Sequence, residues 1–335
     1  PVHLTRVSLR DVGPFSSLDF DVPRPRAADE GQWIVMLGAN GTGKSTLLRS
    51  IALALEGDRS SYMYLSMLGR PFVRGAGNGT IAVSGPRAAH TIEIMRGPPD
   101  IPVNTDDAVH NVDVFGYGAT RGTALGGSER DVTLGRHRVS ATLFSSQDRL
   151  IHAETWLRRE KLRASATEFG HLLERLSSLL PHGEMLELRR DQVWISDGTR
   201  GGAAFSTMSD GYLTTLGWTI DFVAQWSAKH TAKSTTTDDM PCIVLVDEID
   251  LHLHPKWQLD IIPRLRNAFP KTTFVVTTHN PLTLQGTRPG EVFVLRKDDD
   301  TGEISIVQRD VLPGSDANRL LTGDWFGLGS TLDES

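Results

Sequence analysis

The segment Gly38-Ala39-Asn40-Gly41-Thr42-Gly43-Lys44-Ser45 constrains this chain more than any other stretch. It fits the pattern G-x-x-x-x-G-K-[ST] of a phosphate-cradling P-loop. Trp33-Ile34-Val35-Met36-Leu37 just before it is wholly apolar and predicts a buried strand, and Thr46 to Leu55 just after it predicts a helix. Strand, loop and helix in that order are what the pattern requires. The residue types follow from the chemistry. Glycines let backbone N–H groups converge on phosphate oxygens with no Cβ in the way. The helix N-terminus adds partial positive charge. Lys44 is placed to reach the β- and γ-phosphates, and the Ser45 hydroxyl to ligate Mg²⁺. Gly38, Asn40, Gly41, Gly43 and Thr46 complete the expected nucleotide cradle.

The flanking patterns predict an α/β fold. Alternating residues over 2–10, and again from Phe15 to Val22, predict two antiparallel strands ahead of the P-loop strand. From 57 to 204 the chain is punctuated by Gly and Pro. Short strand candidates there are Thr80–Val83, Thr91–Met95 and Val112–Tyr117, followed by a loop over 118–138. Apolar residues at near-helical spacing then predict one helical stretch from Ser146 to Leu180, ended by Pro181.

Regularity returns after Phe205. A helix is predicted over Gly211–Ser227, a polar loop over 229–239, a buried strand at Ile243–Val246, an amphipathic helix over Pro255–Phe269 and a second buried strand at Thr273–Thr277. Asp298-Asp299-Asp300-Thr301-Gly302 reads as a hairpin turn. Near-continuous apolar strands alternating with helices imply a mainly parallel central sheet covered on both faces. The expected organisation is an N-terminal lobe over 1–56 with an antiparallel β-subdomain, a mixed helical insertion over 57–204, and a C-terminal lobe over 205–335.

Composition excludes several classes. One cysteine, Cys242, among 335 residues leaves no internal disulfide and fits a reducing compartment; it reads as a small buried hydrophobe. No apolar run nears the roughly 18 residues that span a bilayer, and Pro1-Val2-His3-Leu4 lacks the start of a signal peptide, so a cytoplasmic location without membrane attachment is expected. The net charge of −6 offers no global basic field. A local phosphate-tracking surface could draw on Arg121, Arg130, Arg136 and Arg138 with Arg158, Arg159, Lys161 and Arg163, although acids are interspersed among them.

A P-loop alone fits kinases, GTPases and many ATPases, and three further segments narrow the choice. Ile243-Val244-Leu245-Val246 delivers Asp247 to the Mg²⁺ shell, with Glu248 one residue on, able to polarise a water for attack on the γ-phosphate. Thr277-Thr278-His279-Asn280-Pro281 follows the next strand and places His279 to touch the γ-phosphate or that water. Met208-Ser209-Asp210-Gly211-Tyr212 opens a helix ahead of the acidic strand, with Ser209 also fitting a simple N-cap.

The set Gly38–Ser45, Ser209–Tyr212, Val246–Glu248 and His279, in this order, resembles the ABC-type ATPase superfamily. Asp247-Glu248-Ile249-Asp250-Leu251-His252-Leu253-His254-Pro255 is similar to a segment of RecF-like and OLD-like ATPases, often grouped as AAA-type. Phe115-Gly116-Tyr117-Gly118-Ala119-Thr120-Arg121 and the tail Trp325 to Asp333 resemble bacterial defence ATPases, including the Septu-type and retron-associated subunits. Ser209-Asp210-Gly211-Tyr212 departs from the usual Leu-Ser-Gly-Gly-Gln signature in its second half.

The resemblance implies ATP and Mg²⁺ as ligands and a homodimer in which each signature closes over the other copy's ATP. Ser209 and Gly211 would then act in trans, with Asp250 facing the opposite site; higher assemblies of dimers stay open. A glutamine between the P-loop and the signature is also implied, for which Gln147 and the segment near Tyr117 compete. Phe15 is a candidate to stack on adenine, against its reading as core. A separate nuclease subunit is the implied effector. The alternatives are a RecF-like repair ATPase that binds DNA directly and, less compatible with the Leu-His-Leu-His-Pro run, a transporter subunit.

Overall fold

A computed structural model describes residues 1–86, 88–104, 112–121, 139–190, 192–197, 201–230 and 237–311. The chain opens with β1 (Arg6–Val12) and β2 (Phe15–Asp21), which pair antiparallel with Val7 opposite Phe20. Val7, Leu9, Val12, Phe15 and Leu18 are buried, with Leu9 opposite Leu18 and Val12 opposite Phe15 across the ladder, while Arg6, Arg10, Asp11, Ser17 and Asp19 are exposed. β3 (Trp33–Gly38) is buried at every position, as expected of a strand covered on both faces. It feeds α1 (Lys44–Glu56), which is followed by α2 (Asp58–Leu68).

The described strands within 57–204, the span expected as an insertion, belong to three sheets. β4 (Gly79–Ser84), β5 (Ala89–Met95) and β6 (Ile101–Asn104) extend β1 and β2 into a five-stranded sheet of order β2-β1-β4-β5-β6. β7 (Val114–Tyr117) joins the central sheet. α3 (Ala141–Phe144) comes next. The single helix expected over 146–180 is two, α4 (Ala153–Arg163) and α5 (Ala166–Ser177). The break is chemical. Ser165 caps α5 by accepting from the Glu168 N–H, while the Glu168 side chain accepts from the Ser165 N–H. That reciprocal box ends one helix and starts the next. β8 (Met185–Arg189), β9 (Gln192–Ser196) and β10 (Ala203–Ala204) form a small antiparallel sheet that the sequence pattern did not reveal.

α6 (Asp210–Lys229), β11 (Ile243–Val246), α7 (Pro255–Ala268), β12 (Thr273–Thr278), α8 (Pro281–Leu284), β13 (Val292–Lys297) and β14 (Ile304–Arg309) complete the described chain. The central sheet has the order β14-β13-β3-β12-β11-β7 and is parallel except for the β13–β14 hairpin. Alternation persists inside these apolar strands. Trp33, Val35 and Leu37 belong to one core with Trp218 and Phe222 of α6 and Ile261 of α7. Ile34 and Met36 belong to the other, with Leu47 and Ile51 of α1 and the antiparallel sheet.

One buried polar contact ties α6 to the central sheet. Asp221 is 5% exposed and accepts from the Tyr117 hydroxyl and from the Ile151 N–H, both at 2.9 Å. Burial pushes its pKa up to about 6, against the pull of these bonds. A carboxyl raised in the folded state stabilises as the acid form. That stabilisation is complete below the unfolded pKa near 4 and is lost as pH rises through about 6, worth on the order of 3 kcal/mol. Asp221→Asn keeps the shape without the titration. Thermal melts from pH 5 to 7.5 should show wild type losing stability relative to the variant; parallel curves would contradict this.

Candidate nucleotide site

The parallel registers bring the candidate residues together. Leu37 lies beside Thr278, and Val246 lies beside both Val276 and Tyr117. The carboxyl ends of β3, β12, β11 and β7 therefore share one edge, where open α/β sheets bind ligands.

The P-loop leaves β3 through two left-handed glycines, Gly41 at φ 82° and Gly43 at φ 88°. A side chain at Gly43 would be strained, and its Cβ would lie 2.5 Å from Phe15 Cζ. Phe15 is fully buried under the loop, so it is core and not an adenine-stacking surface. Asn40 and Gly41 are exposed, while Ser45 and Thr46 are half-buried. A Cβ on Gly38 would meet the Leu295 carbonyl at 2.9 Å. Lys44, 8% exposed, donates to the carbonyls of Gly38 at 2.7 Å and Ala39 at 3.0 Å. Burial lowers its pKa, and the charges of Asp247 and Glu248 oppose that shift.

Asp247 is the hub. Ser45 Oγ donates to its Oδ2 at 2.6 Å and Thr277 Oγ1 to its Oδ1 at 2.5 Å. Thr277 Oγ1 also accepts from the Glu248 N–H at 2.8 Å. One hydroxyl at the end of β12 thus orients both members of the acidic pair; sequence reasoning gave Thr277 no role, although it stands two residues before His279. Glu248 adopts a left-handed backbone, φ 48°, and is half-buried. Hydroxyl and carboxylate oxygens are hard donors suited to Mg²⁺. Among the described residues no group of three or more His, Cys, Asp or Glu could cage a metal. Two protein oxygens completed by phosphates is the usual arrangement for this ion.

Arg121 is the main correction. Read from the sequence as a surface cation, either tracking phosphates or simply solvated, it is 4% exposed and lies behind the acidic pair. It donates to the Asp247 carbonyl at 2.5 Å and to the Gly118 and Glu248 carbonyls at 3.0 Å. Burial lowers its pKa to about 10, opposed by Asp247, Glu248 and Asp250, so it remains a cation at neutral pH. Arg158, Arg159, Lys161 and Arg163 are exposed on α4, with Arg163 bound to Glu160. Arg130, Arg136, Arg138 and the tail Trp325 to Asp333 lie outside the described residues.

The segment Ser209–Tyr212 sits at the start of α6. Ser209 holds the N-cap position but its side chain makes no capping bond. Ser209 and Asp210 are exposed. Gly211 is buried against the 250–254 turn, where a Cβ would lie 2.6 Å from the His252 carbonyl. Among the described residues no hydrogen bond joins Ser209 or Gly211 to the P-loop of the same chain.

His279 is exposed, and its neighbour Asn280 donates to Gln258 Oε1 at 2.8 Å; Gln258 in turn donates to the Leu253 carbonyl at 2.9 Å. Asp250, expected to face another copy, is 4% exposed and turned into its own chain. Burial raises its pKa, with Thr278 and His279 among the groups pulling the other way. Gln147 is exposed in the segment after α3, whereas Tyr117-Gly118 ends the strand that flanks Asp247.

The profile of a family described as "AAA domain, putative AbiEii toxin, Type IV TA system" matches residues 107–285, which include Ser209, Asp247, Glu248 and His279. The chain belongs to this family. Among relatives of this AAA chain, Septu protein PtuA of Bacillus mycoides (strain KBAB4) is 29% identical over 338 residues, covering 95% of this chain and 43% of that protein. The Retron Ec83 probable ATPase of Escherichia coli is 39% identical over 105 residues, 31% of this chain and 19% of that protein. The chain therefore spans less than half the length of the curated relatives it matches here. The SMC head domain from Thermotoga maritima shares the fold, with a TM-score of 0.51 at 14% identity over 92% of this chain and all of that one. The chain thus combines a P-loop with the fold of the SMC head domain, and its relatives include a Septu protein and a retron probable ATPase.

Proposed function

We propose that this AAA chain hydrolyses ATP as one half of a homodimer, and that the ATP-closed dimer controls a separate nuclease in anti-phage defence. The observation that carries the reading is the row Ser45–Asp247–Thr277, which bridges the P-loop and two neighbouring strand ends through short hydrogen bonds. It brings together the oxygens a magnesium triphosphate needs, one residue from Glu248 and two from His279.

The backbone N–H groups of Asn40, Gly41, Gly43, Lys44, Ser45 and Thr46 would line the triphosphate, with Gly38 admitting the close turn. Lys44 would exchange the Gly38 and Ala39 carbonyls for β- and γ-phosphate oxygens. Mg²⁺, held by Ser45 and Asp247, would supply charge neutralisation at those phosphates. Glu248 would take a proton from the attacking water, and His279 would touch the γ-phosphate. The exposed Ser209 and the N-terminus of the 20-residue α6 suit a γ-phosphate brought by a second copy.

The choice of a nuclease effector is what the resemblance to Septu-type and retron-associated subunits implies, and the Septu and retron relatives support that resemblance. Among the described residues no helix is long and apolar enough to cross a membrane. Pull-down of the tagged full chain from its native host tests the partner. A distinct protein with nuclease activity should co-purify in stoichiometric amount. Recovery of salt-sensitive nucleic acid without such a protein would favour direct nucleic-acid binding instead.

A further inference from the structure

We propose that Arg121 is a positioning residue for ATP hydrolysis: its forked guanidinium clamps the Asp247–Glu248 backbone in the left-handed turn that presents Glu248 to the attacking water. This rests on the ATPase reading above.

The strand ladder shows why a side chain is needed here. β11 pairs with β7 up to Val246 beside Tyr117, and the Asp247 N–H donates to the Tyr117 carbonyl at 2.8 Å. Beyond that point β7 has ended and the Asp247 carbonyl has no neighbouring strand to pair with, while the Glu248 carbonyl accepts from the Leu251 N–H at 3.1 Å within the turn. Arg121, four residues past Tyr117, replaces the missing strand. One terminal nitrogen serves the Asp247 and Gly118 carbonyls and the other serves the Glu248 carbonyl. Glu248 sits at φ 48°, a conformation unfavourable for a residue with a Cβ, so it persists only where its surroundings over-determine it. The Leu251 N–H closes the turn on the Glu248 carbonyl, and Arg121 clamps it from one side while Thr277 Oγ1, through the Glu248 N–H, holds it from the other.

The choice of acceptors also points to positioning. Burying a guanidinium among carbonyls is costly. The carboxylates of Asp247, Glu248 and Asp250 close by offset the cost, yet Arg121 makes no hydrogen bond to Asp247 or Glu248 side-chain oxygens among the described residues. The clamp fixes the backbone and leaves the Asp247 carboxylate to Ser45 and Thr277. Lysine offers the charge without the two coplanar donors needed for adjacent carbonyls.

The test is kinetic, on the full chain. Arg121→Lys should lower kcat by about 10- to 100-fold while KM and fluorescent-nucleotide affinity stay within about threefold of wild type. In a Glu248→Gln background, followed by single turnover of labelled ATP, Arg121→Lys should cause no further loss, because it acts through Glu248. Unchanged kcat in the single variant, a parallel loss of nucleotide affinity, or an additive loss in the double variant would each overturn the proposal. If Arg121→Lys does not fold, Arg121→Gln, which keeps an amide donor without a buried charge, is read by the same cycle. Wild type and Lys44→Ala run alongside. A wild-type chain that hydrolyses no ATP overturns the ATPase reading itself, whereas an active wild type with an equally active Arg121→Lys overturns only this inference.

Discussion

Lys44→Ala eliminates measurable ATP binding by the full chain. Lys44 is 8% exposed and its ammonium is already held between the Gly38 and Ala39 carbonyls, so it is aimed at the loop and not at bulk water. Contacts between a charged donor and phosphate oxygens are each worth about 1.5–3 kcal/mol. Losing two such contacts weakens binding by at least about 100-fold. Alanine is a strong helix former and shortens a side chain at the first turn of α1, so the fold should survive. Titration with ATP and Mg²⁺, with a thermal melt as control, decides it. A folded variant that binds within a few-fold of wild type would remove the P-loop assignment.

Glu248→Gln should leave binding intact and slow hydrolysis by about 10²- to 10⁴-fold, the usual contribution of a general base. The substitution is isosteric. The backbone bonds from Arg121 and to Thr277 Oγ1 do not involve the carboxylate, so the left-handed turn is retained. Ser45 and Asp247, the proposed Mg²⁺ ligands, keep their mutual bond. Only the proton acceptor is lost. Steady-state phosphate release measures the effect, and a variant as fast as wild type would assign the base to another group.

Much of the fold and site was legible because strands, glycines and acids at this kind of site announce themselves locally. The wholly apolar Trp33–Leu37 and Ile243–Val246 runs mark doubly covered strands, with Lys44 and Ser45 at the start of the helix after the first and Asp247 and Glu248 directly after the second. What was not legible depends on distant contacts. β4, β5 and β6 join β1 through long-range pairing, which short alternating runs cannot reveal. The α4–α5 break was written locally, in Ser165 and Glu168, but the apolar period running across it masked the signal. Arg121 looked like one of several surface cations. Its burial follows from where β7 ends relative to β11, a relation no single segment contains. Thr277 gained its role in the same way, from the neighbouring registers of β11 and β12.

In the proposed homodimer this P-loop is half of a site completed by a second copy. The most direct measurement is the solution mass of Glu248→Gln with ATP and Mg²⁺, compared with nucleotide-free and Lys44→Ala samples at the same protein concentration. A doubling of mass, or of a larger assembly's closed dimers, is expected only where Glu248→Gln and ATP are both present. Loss of that shift is expected when Ser209, exposed at the start of α6, is replaced by a bulky residue. A Glu248→Gln chain that binds ATP tightly and shows the same mass with and without it would rule out a site shared between two copies.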